Sequence, residues 1–151
     1  MISITDAVIS CHREGLERII DVMHMGGNVI AGGSLPMATT GELACFFAMI
    51  GLPWERGDHF MNTIELQSGV QDDHLTNLLP QKISDKTGFI KGVEKLDCWY
   101  NDPDVRAETA VAYAAIESGR FGYIGCVSNE MGTMGVARVM LGLPLELQTG
   151  F

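Results

Sequence analysis

The residues best suited to chemistry lie in two short stretches, each expected between a strand and a helix. In the first, Ala31-Gly32-Gly33-Ser34, a glycine turn frees backbone N–H groups to converge on an anion, and the helix that follows adds partial positive charge. Ser34, Thr39 and Thr40 add hydroxyl donors for a phosphate or a carboxylate. In the second, Ser128 and Asn129 offer the same kind of donor, and Glu130 is the candidate catalytic acid or base. If the two loops are equivalent, Ser34 and Ser128 share one cleft. The competing explanation is geometric: glycines serve tight turns with or without a ligand, and Pro36 removes one donor. Gly132 and Gly135 lie within an expected helix, where close packing against another helix explains them as well as a ligand does.

The stretch from Gly26 to Phe47, in which a helix and a strand lead into Gly32-Gly33-Ser34, resembles the phosphosugar-binding loop of sugar isomerase (SIS) domains, as in phosphoheptose isomerases. The resemblance implies phosphosugar binding at that turn. The family's second serine- and threonine-rich phosphate loop has no counterpart here, and Ser128-Asn129-Glu130 stands in its place.

Asp58-His59 and Asp72-Asp73-His74 carry metal-ligand chemistry, but neither has the His-x-x-x-His spacing that sets two ligands on one helical face, so no metal site is assigned. Cys11 and His12 are neighbours on an expected helix and point in different directions, a poor nucleophile–base pair. Trp54, Phe60, Trp99 and Tyr100 flank element ends, where they suit core or subunit packing as well as the wall of a pocket.

Local signals set out the elements that must hold these groups. Ser3 or Thr5 caps a first helix running to about Met25, with Ala7, Val8, Leu16, Ile19, Ile20 and Met23 as its apolar face. A buried strand Asn28–Ala31 and a helix Gly41–Ile50 follow, then strand propensity in Phe60–Leu66, in 88–93 and in Lys95–Tyr100, with a helical turn or two expected over Gln71–Leu79. Asn101 or Asp102 with Pro103 reads as the start of the clearest helix, carrying Val105, Thr109, Ala112, Tyr113 and Ile116 up to Gly119. Tyr123–Val127 reads as a second short strand and Ser128 or Asn129 as the cap of a last helix reaching Leu141. The expectation is a single compact α/β domain over residues 1–151.

One pattern recurs at a constant offset of 91 residues: Gly41, Met49 and Gly51-Leu52-Pro53-Trp54-Glu55 against Gly132, Met140 and Gly142-Leu143-Pro144-Leu145-Glu146. It suggests two similar helix–strand–helix halves around a small sheet, about 5–55 and 101–146. The alternative is chance, because Gly, an apolar residue and Pro end many unrelated helices.

Composition narrows the function. A formal charge of −9, from 19 acidic and 10 basic residues, argues against nucleic-acid binding, which needs a basic footprint. Lys82, Lys86, Lys91 and Lys95 share their segment with Asp85 and Glu94 and read as solvated surface. No apolar stretch reaches spanning length and the start of the chain lacks a signal-like pattern, so a cytoplasmic protein without membrane contact is expected. Hydrophobic content of 46% with charged residues at 19% points to subunit contacts, hence a homo-oligomer. Two readings follow. One is a protein binding a small phosphorylated or carboxylated metabolite, as an isomerase, lyase or transferase, with no cofactor assigned; Arg120 or Arg138 would offset the negative field. The other is a non-enzymatic assembly or interaction protein, such as a viral or regulatory subunit.

Overall fold

A computed structural model describes residues 2–4, 13–32, 36, 40–67, 79–105, 107–126 and 136–140. The elements run β1 (Ile2–Ile4), α1 (Arg13–His24), β2 (Asn28–Ala31), α2 (Thr40–Met49), β3 (Glu55–Leu66), β4 (Lys82–Lys91), β5 (Cys98–Asn101), β6 (Glu108–Thr109), β7 (Val111–Ile116) and β8 (Gly119–Ile124), and residues 136–140 are helical. All eight strands form one mixed sheet in the order β1-β2-β8-β7-β5-β3-β4-β6.

The expected α/β fold of two helix–strand–helix halves is therefore overturned: the described chain is mostly β. The largest correction falls on residues 101–119, read as the clearest helix. They form β5's end, β6 and β7 instead, and β7 pairs antiparallel with β8 from Val111↔Ile124 to Ile116↔Gly119. Val111-Ala112-Tyr113-Ala114 satisfies both a helical and a strand period. Pairing decides, because alternation sends Ala112 and Ala114 to one core and Val111 and Tyr113 to the other. Gly119 begins β8 after a tight turn in which Glu117 takes φ 51°. Ser3 lies within β1 and caps no helix.

The described parts of the early helices match local expectation, whereas Ala7 and Val8 of the expected first helix lie outside the described residues. Leu16, Ile19 and Met23 give α1 its buried face, as do Leu43, Phe46, Phe47 and Ile50 for α2. Both helices end in the same hydrogen-bond pair: Gly26 and Gly27 donate to Met23 and Val22, and Gly51 and Leu52 donate to Ala48 and Phe47. Gly26 and Gly51 have φ of 89° and 87°, which a side chain would strain. Gly51-Leu52-Pro53 is thus a helix stop in its own right; the matching Gly142-Leu143-Pro144 lies outside the described residues.

The sheet separates two cores. Under α1 and α2 lie Val29, Ala31, Trp54, Phe121 and Tyr123, with Phe47 set edge-on to Trp54 and Tyr123 at centroid distances of 5.5 and 5.9 Å. On the other face, Ile30, Ile64, Phe89, Trp99, Tyr100 and Ile124 pack with Val136, Val139 and Met140 of the last helical segment.

Strong curl follows from one contact. β4 and β8 are far apart in strand order, yet Thr87 bridges Cys126, and Gly88 N–H donates to the Gly125 carbonyl at 3.0 Å. Gly125 N–H in turn donates to Ala110 at 2.8 Å, and the Tyr123 hydroxyl to the Gly88 carbonyl at 2.7 Å. A Cβ on Gly125 would lie 2.3 Å from the Gly88 oxygen, so this half-barrel closure requires glycine.

Candidate functional site

β2 and β8 are adjacent and parallel, with Ala31 opposite Tyr123. Both deliver their following loops to the same edge of the sheet. The helices beyond those loops then part: α2 packs on the core with Phe121 and Tyr123, and 136–140 on the core with Ile30 and Ile124. A crevice opens where neighbouring parallel strands send their connections to opposite faces, the usual ligand position in open α/β sheets. Of the sequence candidates, Gly32 is buried at this edge, and a Cβ there would make ordinary contact, 3.5 Å, with the Ile124 carbonyl. Thr40 is the first residue of α2, and its backbone alone is described. Gly33, Ser34, Thr39, Ser128, Asn129 and Glu130 lie outside the described residues.

The strand pair β3–β4 forms a second wall, which the sequence did not single out. In its register Arg56 faces Ile90 and His59 faces Gly88, so three steps along β3 match two along β4 and β3 carries a bulge at Gly57-Asp58. In a regular strand residues 56 and 59 would point to opposite faces; the extra residue places both on the face of Ile90 and Gly88. The bulge is held by buried Glu108, whose carboxylate accepts the Asp58 N–H at 3.1 Å and lies 3.7 Å from Lys91 Nζ. Lys86, two residues from Gly88 along β4, shares the same face and is exposed.

Gly88 lets the β2–α2 loop approach the centre of this wall closely. A Cβ built on it would lie 3.1 Å from the Pro36 carbonyl oxygen, in the β2–α2 loop, and 3.4 Å from the His59 ring. The His59 ring thus sits beside the loop carrying the glycine turn. Its Nε2 is buried and has no hydrogen-bond partner among the described residues. Burial lowers its pKa, and the charges of Lys86 and then Arg56 lower it further. Arg56 also acts on buried Tyr123, whose hydroxyl is pushed far up by burial.

The other basic candidates lie elsewhere. Arg120 is paired with Asn28 at the start of β2 and sits 5.5 Å over the Tyr113 ring, at the opposite end of the strands. Arg138 belongs to the helical segment on the far core. Asp58 and His59 gather no third metal-ligating side chain, and among the described residues no group of three or more His, Cys, Asp or Glu assembles. Asp72, Asp73 and His74 lie outside the described residues. Burial raises the pKa of Cys98, so it is no activated nucleophile. No sequence period announces Arg56, His59 and Lys86 as a group, because a bulge and a cross-strand register bring them together.

No family model matches the chain, and no curated protein matches it. Solved structures do. A β-galactosidase from Bacillus circulans sp. alkalophilus superposes with a TM-score of 0.60 at 11% identity, over 85% of this chain and 20% of that one. A polyextremophilic β-galactosidase from the Antarctic haloarchaeon Halorubrum lacusprofundi gives 0.57 at 14% identity, over 85% and 20%. The chain thus spans a fifth of those enzymes' length, and at such identities the likeness is one of fold alone.

Proposed function

We propose that this chain binds a small anionic metabolite, phosphorylated or carboxylated, in the crevice at the carboxyl ends of β2 and β8. The observation carrying the reading is the pairing of those two parallel strands with their helices on opposite faces, with Gly32 beside Ile124 at their carboxyl ends. Gly32, Gly33, Ser34, Thr39 and Thr40 would supply donors from one side, Ser128 and Asn129 from the other, and Glu130 the acid or base of an isomerase, lyase or transferase reaction. Cys45, Cys98 and Cys126 are thiols, which suits a reducing, cytoplasmic setting.

A thermal-unfolding screen against sugar phosphates, nucleotides and carboxylic acids tests the reading, since a ligand that prefers the folded state raises its stability. A shift of several degrees with one anionic class, removed by Ser34→Trp, is the expected result. No shift with any class would sink it.

One feature favours the second reading, assembly. At the far end of the molecule an open groove of about 440 Å³ is lined by Ile20, Met49, Ile50 and Ile116 together with His24 and Glu117, and Met25 beyond α1 is 88% exposed. An oligomer formed there would dissociate on Met49→Glu, read by light scattering on a sizing column. Among the described residues no helix is long and apolar enough to cross a membrane.

A further inference from the structure

We infer that the β3–β4 wall, through Arg56, His59 and Lys86, is the binding subsite for a phosphate monoester, and that the ligand of this crevice is a phosphorylated compound rather than a simple carboxylate. This rests on the crevice reading above and specifies its charged end. The bulge and register put all three side chains on one face, across from Pro36 of the glycine-turn loop. Gly88, directly opposite His59, lets Pro36 pack on the centre of that face, a built Cβ lying 3.0 Å from the Pro36 Cβ, so the three side chains border that loop.

The chemistry follows from the donor set. A guanidinium offers a planar fork, an ammonium a point charge, and an imidazole a single N–H, each approaching from a different position. A phosphate monoester presents three acceptor oxygens and close to two negative charges at neutral pH, enough to engage all three. A carboxylate is satisfied by the guanidinium alone. Charge bears on it too: in a chain of formal charge −9, the charges that lower the His59 pKa are those of Lys86 and then Arg56, both cationic, while the Glu108 carboxylate at the bulge is engaged by the Asp58 N–H and faces Lys91. Asp85, the acidic residue next to Lys86, alternates to the other face with Ile83 and Phe89, and Pro36 from the loop is uncharged. The buried Nε2 of His59 gains a partner when the anion enters.

The test is 1H NMR of the His59 ring in the full chain, assigned with His59→Gln, during titration with sodium phosphate and, separately, sodium acetate at matched ionic strength. Phosphate is expected to move the His59 resonance saturably and raise its titration midpoint, with acetate at least about tenfold weaker. Lys86→Met, at an exposed position that leaves the fold intact, is expected to weaken phosphate about tenfold, and Arg56→Met at least as much. Equal responses to phosphate and acetate would overturn the inference, as would unchanged phosphate affinity in folded Lys86→Met. Calorimetric phosphate binding that leaves His59 unmoved would also overturn it while sparing the crevice. A His59 response that survives Ser34→Trp would sink the loop reading and spare the wall.

Discussion

The two ends of the β2–β8 strand pair handle polar groups in opposite ways. At the amino end, near Asn28 and Arg120, the groups are matched: the Met140 carbonyl accepts from Asn28 at 3.3 Å and from the Tyr113 hydroxyl at 2.6 Å, and Arg120 stacks on Tyr113. Ser118 donates to the His24 carbonyl at 2.7 Å, and His24 lies 3.3 Å from Glu117. At the carboxyl end, His59 keeps a buried nitrogen without a partner among the described residues, beside two cations. A buried unpaired donor or acceptor costs about 1–3 kcal/mol, so an end that retains one is the end to examine for a ligand.

Substitutions that spare or strike each end can break this contrast. The largest effect belongs to Phe47→Ala, which removes a ring contacting Phe46, Trp54, Phe121 and Tyr123 and should cost about 3–5 kcal/mol in urea unfolding. Because that core underlies both ends, its loss sets the scale; a cost near zero would mean that α2 does not pack as described. Next come two glycines at the two ends of β8. A Cβ at Gly119 would lie 2.4 Å from the Met23 and Gly27 carbonyl oxygens, and one at Gly125 2.3 Å from that of Gly88. Ala at either should cost about 2–3 kcal/mol, but only Gly125→Ala should also disturb the His59 resonance. Equal spectral effects of the two would erase the distinction between the ends.

Glu108→Gln separates position from stability. It weakens the acceptor for Asp58 N–H and the pair with Lys91, for about 1–2 kcal/mol, and frees the bulge that aligns Arg56 with His59. Phosphate affinity should therefore fall although residue 108 belongs to neither loop; unchanged affinity would separate the bulge from the site. Acid pH gives a related readout. His59 has a lowered pKa when folded, so the unfolded chain binds its proton first, and stability falls as pH drops through about 6.5 toward the folded value. His59→Gln should flatten that part of the profile, and an identical slope in both proteins would contradict the lowered pKa of His59. Smallest is Tyr113→Phe at the matched end, which deletes the hydroxyl donated to Met140 and should cost about 1 kcal/mol with no effect on anion binding.

How far these features can be read from the chain depends on their range. The end of α1, β2 and α2 stand close to where apolar spacing and glycine stops place them, because each needs only neighbours within a turn or two; the expected start of α1 at Ser3 or Thr5 does not, since Ser3 lies in β1. The expected strand Phe60–Leu66 starts earlier, at Glu55, since the bulge spoils the alternation of its first half. Residues 101–119 misled because Asp102-Pro103 mimics a helix start, whereas Asp102 accepts from Asp104 N–H at 2.8 Å and from the Asn62 amide, pinning a turn. The position of Gly32 just after β2 was legible from its local pattern. Lys86 was not: its neighbours Asp85 and Thr87 make it look like ordinary surface, and only the β3–β4 register sets it beside His59.

By itself the sequence determined what is local here: the faces of α1 and α2, their glycine stops, the strand Asn28–Ala31, and the acidic balance that argues against a nucleic-acid partner. Tertiary structure decided the rest. Whether 111–116 is helix or strand, which strand lies beside β2, and which cations share a face with His59 all depend on hydrogen bonds between residues tens of positions apart, whose energies no local period encodes.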